Sequence, residues 1–313
     1  MRSFQRLSRQ GYLWAIHRVG NPDFQKSLQA QQAWIHLIRE HHNDKLFEQK
    51  RGSLLISTPL DEQGRDKLFQ YYDEQARFHL PDVKWVESVQ SAYNSFVRPS
   101  ISGMYYPHDI MCTPTKIIRY FMDLFANNNN VSIEHRTVVD LHSEQKLYDV
   151  VICCAGPWVK SLKDDVPVKP IRGILLKTEC NFGNAKPFIP MMEYGYGEPG
   201  VHFTLSFRDN MCLFGASRED VGFSTENLEE LQCDVLNHAQ KFLLPESGVI
   251  GPILERTVGY RPALIAQADD GDNSVPYRIE KQGNLVLLYG FEGQGVLYAA
   301  LAAREATDII FNL

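Results

Sequence analysis

Arg261 has the setting of a ligand-holding side chain. It stands in Val258-Gly259-Tyr260-Arg261-Pro262, after an apolar stretch and between glycine and proline. There a guanidinium fork is held rigidly and presents paired donors to a carboxylate. A structural salt bridge explains the same residue equally well on sequence alone. Two strand-to-loop junctions far apart in the chain carry a second kind of chemistry. Residues 149–158 (DVVICCAGPW) and 284–297 (NLVLLYGFEGQGVL) each run from an apolar stretch through small residues into a helix start. Backbone N–H groups at such a start face an electron-rich ligand. Every α/β protein has junctions of this kind, so each is weak alone.

Other patterns dissolve on inspection. Residues 195–200 (GYGEPG) spell G-x-G-x-x-G, but Val201-His202-Phe203-Thr204-Leu205 after them is strand-like rather than helical, and residues 191–194 (MMEY) make a poor parallel strand;. A β-turn is the expected structure. Gly215-Ala216-Ser217-Arg218-Glu219 resembles a nucleophile elbow, yet glutamate stands where the sharp turn needs glycine;. His41 and His42 close a polar helix, where a positive carboxyl-end partner is favourable. The six cysteines, Cys112, Cys153, Cys154, Cys180, Cys212 and Cys233, show no zinc spacing and read as reduced, mostly buried thiols;. Cys153 and Cys154 face opposite sides of any strand.

The elements that must position these residues alternate between helix and strand. Helical periodicity over residues 24–38 rests on Phe24, Leu28, Ile35 and Ile38;. Residues 53–57 read as a buried strand, 61–78 as helix, 84–86 and 104–106 as strands, and Thr113-Pro114 opens a helix that the run 127–130 (NNNN) stops;. Two extended pieces, 131–134 and 137–141, precede the strongest strand, 149–154. Strands at 172–178, 201–207 and 211–215, a helix at 226–244, strands at 255–260 and 285–290 and a closing helix at 294–310 complete the reading. Strands 149–154 and 285–289 are expected as neighbours in one sheet, and 53–57, 172–178, 201–207 and 211–215 in another.

Composition agrees with an ordinary globular protein: 313 residues, 44% hydrophobic, 22% charged;. A formal charge of −6 removes any general electrostatic case for nucleic acid or an anionic membrane;. The longest apolar stretch is far shorter than the roughly 20 residues of a membrane helix, and the first residues lack a secretory pattern, so a soluble, cytoplasmic protein is expected.

In order and wording, these segments resemble the D-amino-acid oxidase (DAO) family of FAD-dependent oxidoreductases, which includes glycine and sarcosine oxidases. The likeness runs through residues 51–55 (RGSLL), 103–107 with Thr113-Pro114, 131–141, 149–158, 170–173 (PIRG), 215–219, 259–262 with Asp270-Gly271, and 290–295. It implies an α/β (α+β) fold in which a truncated FAD/NAD(P)-binding Rossmann-like domain is interleaved with a mixed-sheet substrate domain. Residues 1–50, 103–165 and 255–313 would form the FAD-binding part, and 51–102 and 166–254 the substrate part. It also implies FAD as cofactor, held by Arg9, Gln10, Gly11, Val139, Ala155, Gly156, Trp158, Gly290, Gly293, Gln294, Gly295 and Val296. Val139 would lie by the adenine and the glycines by the flavin's pyrimidine side. Arg261 would hold a substrate carboxylate. The partner is then a small-molecule amine or amino acid, with no nucleic acid and no metal; the oligomeric state stays open. A tRNA-modifying oxidase domain acting on carboxymethylaminomethyluridine is similar around Arg9-Gln10-Gly11, 103–107 and 290–299.

One departure stands beside the matches. The family opens with a βαβ unit carrying G-x-G-x-x-G, and here the resemblance starts only near residues 8–11. The expectation is a fragment or mis-started product of a longer protein, or a natural relative with a weaker cofactor grip. Three functions compete: an FAD-dependent amine or amino-acid oxidoreductase, a non-catalytic flavin-free remnant, and the tRNA-modifying oxidase. Flavin content separates the first two. Purified residues 1–313 are expected to carry little FAD, because losing several charge-assisted hydrogen bonds, each worth roughly 1.5–3 kcal/mol, moves a tight complex to micromolar or weaker. An absorbance scan with FAD as titrant checks this, and a yellow, stoichiometric protein would refute it.

Overall fold

The computed structural model describes residues 11–13, 16–19, 23–41, 47–48, 52–58, 62–179, 189–195, 199–208, 211–265 and 276–312. The chain packs as two compact units. One comprises Met1–Gly20, Gln49–Met111 and Arg172–Gly259; the other comprises Asn21–Glu48, Cys112–Ile171 and Tyr260–Leu313. The sequence reading groups residues 103–165 together, whereas strand Gly103–Tyr106 itself lies in the first unit, paired antiparallel with Ser53–Ile56. Residues 16–19 also lie there, where the Tyr71 hydroxyl donates to the carbonyls of Ile16 at 3.1 Å and Val19 at 2.7 Å.

An eight-stranded mixed sheet organises the first unit. Its order is Ile253–Leu264, Val168–Glu179, Met211–Arg218, Gly200–Arg208, Met191–Glu193, Ser53–Ile56, Gly103–Tyr106, Lys84–Val86. The four strands expected to share a sheet do so. Met191–Glu193, which reads as a poor parallel strand, in fact pairs in parallel with Ser53–Ile56, Leu54 opposite Met191. The close approach demands Gly103, because a Cβ there would lie 2.6 Å from the Leu55 carbonyl. Helix Leu228–Gln240 turns Leu231, Val235 and Ala239 inward, and just beyond it Phe242 stacks on Phe203 with ring centroids 4.3 Å apart. Burying each such ring stabilises the fold by about 1.5–3 kcal/mol.

Two buried charges in this unit are paired, and a third, Asp109, accepts from the Ser53 hydroxyl. Arg172, 3% exposed, forks onto Glu219 at 2.9 and 3.1 Å and donates to the carbonyls of Ser224 and Glu226. Ser217 is no elbow nucleophile: it lies buried within strand Met211–Arg218, and its hydroxyl accepts from the Ile174 N–H at 3.1 Å. Glu193 accepts from His238 Nε2 at 2.7 Å, the Phe203 N–H at 3.0 Å and the Thr58 hydroxyl at 3.1 Å.

The second unit joins a three-stranded sheet to two long helices. Leu285–Tyr289 is central, antiparallel to Arg278–Gln282 and parallel to Val151–Cys153, with Leu285 opposite Val151 and Leu287 opposite Cys153. The expected neighbours are thus adjacent. Helices Phe24–Glu40 and Gly295–Phe311 lie against each other. The buried face of the former is Phe24, Ser27, Ala30, Gln31 and Trp34 rather than the Leu28–Ile35–Ile38 stripe, because the Trp34 indole reaches the carbonyls of Val296 at 2.8 Å and Leu297 at 3.0 Å. Residues 131–140 form no strand, and a helix starts at Leu141 with Asp140 capping the N–H groups of His142 and Ser143;.

Burial pushes the Glu193 carboxyl up, but the hydrogen bonds from His238, the Phe203 N–H and Thr58 outweigh it and hold the group below the usual carboxylate range;. A depressed folded pKa gives stability that is complete above the unfolded value and is lost as pH falls through the folded one. Glu193→Gln is expected to cost on the order of 3–5 kcal/mol at neutral pH. Urea midpoints measured against pH should show that deficit shrinking in acid, where the wild-type carboxyl is itself protonated.

Candidate functional site

Two neighbouring parallel strands end side by side, and each opens a turn built for backbone exposure. Ligands of α/β sheets gather at such carboxyl ends. After Val151–Cys153 the chain passes Ala155 into a 3-10 turn, Gly156–Trp158, and then helix Val159–Leu162. Gly156 has φ +59°, and nothing lies within 4 Å of where its Cβ would be. The turn leans on strand Leu285–Tyr289. Beneath it, Leu141, Cys153, Val159, Val166, Val168, Leu285, Leu287 and Tyr289 form one buried cluster. Trp158 is half exposed, at 49%. Burial also raises the Cys153 thiol, so it is no activated nucleophile;.

After Leu285–Tyr289 the turn is tighter. Gly290 has φ +84°, and a Cβ there would lie 2.5 Å from the Leu264 side chain. Glu292 also takes a left-handed φ of +48°, a conformation that costs a residue with a Cβ roughly 1–2 kcal/mol. A 3-10 turn, Glu292–Gln294, then leads into helix Gly295–Phe311, which has no acidic residue in its first turn. Its unpaired N–H groups and dipole favour negative charge at this end. The Gln294 Oε1 is buried and accepts no hydrogen bond.

Arg261 does not follow a strand. It sits inside Ile253–Leu264, because Tyr260, Arg261 and Pro262 all continue the extended backbone. Its Cδ and Nε lie 3.6 and 3.7 Å from the position of a Cβ on Gly293, so the half-buried guanidinium stem runs along the glycine turn. The structure therefore brings together Arg261 and Gly293, and sets the turn of Ala155, Gly156 and Trp158 beside the strand that leads to Gly290, Gln294, Gly295 and Val296. Val139 is 79% exposed, while its neighbour Val138 packs against the buried cluster. Gly11 begins strand Gly11–Leu13 in the other unit. Arg9, Gln10, Cys180, Asp270, Gly271 and residues 196–198 of the glycine-rich stretch lie outside the described residues. Cys153 faces inward and Cys154 outward, as alternation requires; Cys233 is exposed too, against the expectation for a free thiol, because it sits on the outer side of helix Leu228–Gln240.

The unsatisfied Gln294 Oε1 would accept from an N–H of a bound group, the helix-start N–H groups would meet its acceptors, and Gly156 leaves open space at the other turn. A cavity of about 430 Å³ in the same unit is lined by Asp140, His142, Lys160, Lys163 and Leu285. It opens at the start of Leu285–Tyr289, away from both turns. Among the described residues no group of three or more His, Cys, Asp or Glu is placed to hold a metal, and no helix is long and apolar enough to cross a membrane.

Sequence reasoning missed Leu264, Phe291 and Tyr277 as supports of the second turn. The first two sit beside flagged residues, whereas nothing in the wording around Tyr277 marks it.

The chain matches the family model described as FAD dependent oxidoreductase (DAO) over residues 9–309. A D-amino acid oxidase of Dugesia ryukyuensis is 21% identical over 202 residues, an alignment that spans 63% of this chain and 56% of that protein. The crystal structure of iminodiacetate oxidase (IdaA) from Chelativorans sp. BNC1 is similar with a TM-score of 0.75 at 15% identity, covering 98% of this chain and 86% of that one. Glycine oxidase from Geobacillus kaustophilus gives 0.74 at 16% identity, covering 96% and 83%.

The two glycines are expected to differ sharply on substitution. Gly156→Ala should cost only the left-handed penalty of about 1–2 kcal/mol. Gly290→Ala should add a collision with Leu264 of about 1–3 kcal/mol on top of that. Thermal or urea unfolding of both variants checks the order, and equal losses would refute it.

Proposed function

The chain belongs to the FAD-dependent oxidoreductase (DAO) family, and on that premise we propose that it oxidises the C–N bond of a small amine or amino acid. Its fold is the mixed α/β fold of glycine oxidase. The observation that supports the reading most is the pairing of two parallel strands whose carboxyl ends both open glycine turns, with the Arg261 stem lying along Gly293.

FAD, when bound, supplies a two-electron acceptor that takes a hydride from the carbon next to nitrogen. The chain's own residues do the rest. The turn of Ala155 and Gly156 and the turn of Gly290, Gly293, Gln294 and Gly295 would hold the ring system by backbone contact. The Gln294 Oε1 would accept from an N–H of the bound group. The start of helix Gly295–Phe311 would stabilise negative charge on it;. Arg261 orients the substrate by its carboxylate through two parallel hydrogen bonds. The substrate gives up the C–H electron pair with its hydrogen and releases a proton from nitrogen; water then converts the imine to a carbonyl compound and free amine. Val139, Trp158 and Val296 complete the proposed cofactor contacts of the second unit. Residues 1–50, 103–165 and 255–313 are proposed as the FAD-binding part, and 51–102 and 166–254 as the substrate part.

The experiment adds FAD to the purified protein and mixes it anaerobically with a panel of D- and L-amino acids, glycine and N-methyl amino acids. Bleaching of the flavin band by at least one of them is expected; no bleaching by any amine would sink the proposal. Arg261→Lys should raise KM for a carboxylate substrate by about 25-fold or more, since losing a buried charge pair's geometry costs on the order of 2–5 kcal/mol. Its FAD affinity should be unchanged. An unaltered KM would return Arg261 to a structural role.

A further inference from the structure

We propose that Tyr277 is a positioning residue for the turn that follows Leu285–Tyr289, acting through its stack with Phe291; the link to flavin rests on the reading above. Phe291 lies between the two left-handed residues of that turn, Gly290 and Glu292. One backbone hydrogen bond closes the turn, from the Gln294 N–H to the Phe291 carbonyl at 2.9 Å, and the Phe291 side chain adds the tertiary contacts that fix it in place. Phe291 is engaged on two sides. Its Cβ lies 3.6 Å from the Cβ position of Gly295 at the helix start, and its ring stacks on Tyr277 with centroids 4.8 Å apart and planes 11° from parallel.

Tyr277 is itself fixed from several directions. It is 1% exposed. Its hydroxyl donates to Glu305 Oε2 at 2.6 Å, and burial together with that carboxylate pushes its ionisation well up, so it stays a neutral donor. The Lys26 ammonium lies 4.2 Å from the ring centroid and 3.4 Å from Glu305 Oε1;. Tyr298 packs at 5.3 Å, with its own hydroxyl on Asp23 at 2.9 Å. Helices Phe24–Glu40 and Gly295–Phe311 therefore both grip the ring on which the turn rests. A catalytic role is excluded by this burial, and what remains is mechanical: the ring transmits the rigidity of the helix pair to a turn whose backbone must stay in place to meet a ligand.

Three variants test it. Tyr277→Leu removes the stack, Tyr277→Phe keeps the ring and loses the Glu305 hydrogen bond, and Phe291→Leu attacks the same contact from the turn. Amide hydrogen exchange is measured by mass spectrometry without flavin, and FAD affinity by titration. Tyr277→Leu and Phe291→Leu are expected to speed exchange of residues 291–296 and to weaken FAD by about tenfold each, the size of a lost aromatic pair. Strand Leu285–Tyr289 should keep its protection, and Tyr277→Phe should match wild type in both measurements. Unchanged exchange at 291–296, or a rise spread evenly over the unit, overturns the proposal. Wild-type protein that takes up no FAD ends the flavin reading alone, and the exchange data still decide whether the ring pins the turn.

Discussion

Everything proposed for this chain depends on one parallel pairing, Leu285–Tyr289 beside Val151–Cys153. With Leu287 opposite Cys153, the strands end at the same level, and the two glycine turns that follow are neighbours. Side chains alternate along a strand, so a slip of one residue in Val151–Cys153 would turn buried Cys153 outward, bring Ile152 inward and offset the turns;. The register is held by the cluster beneath it, where Leu141, Val159 and Val166 fill the inner face. Packing in the interior thus decides geometry at the surface.

Charge is distributed to suit this arrangement. In the first unit the buried ions are consumed by one another: Arg172 spends its donors on Glu219 and two carbonyls, and Glu193 takes three donors. These groups shape the sheet and have little capacity left for a ligand. In the second unit the buried Asp23 and the partly exposed Glu305 are likewise bound to tyrosine hydroxyls. The polar capacity directed at the turns comes from backbone N–H groups, the Gln294 amide and the Arg261 stem. That is the chemistry of a site that borrows its reactivity from a bound group and supplies orientation.

Long apolar runs were the legible part of the sequence. LVLLY and SLLI read as buried strands because both faces are covered, and DVVICC reads as the apolar partner of LVLLY although Val150, Ile152 and Cys154 face outward;. Met191–Glu193 was illegible because its inward glutamate breaks the pattern, and three partners distant in sequence, His238, Thr58 and the Phe203 N–H, make that burial tolerable. Helix Phe24–Glu40 was found, but not the face it buries, since a tryptophan N–H seeking two carbonyls sets its rotation. The stretch 131–140 carries strand-like residues but pairs with no strand. At the site, glycines announced themselves through the turns they permit. Arg261 was found but misplaced by Gly259 and Pro262, which look like strand ends and here lie within one. Tyr277 gave no sign, because its importance lies in a stack that only tertiary structure creates.

The central strand of the second unit also sets when the molecule can become competent. Residues 285–311 leave the ribosome after every strand and helix they join, and the contact with Val151–Cys153 closes a long stretch of intervening chain. Non-local parallel pairing of this kind is slow. The large sheet can assemble on the nascent chain as its strands emerge, but the two turns do not face a ligand together until synthesis has passed helix Gly295–Phe311. A polypeptide halted or clipped before Gly290 would therefore hold most of its secondary structure, with the Gly156 turn and Arg261 present and the second turn missing.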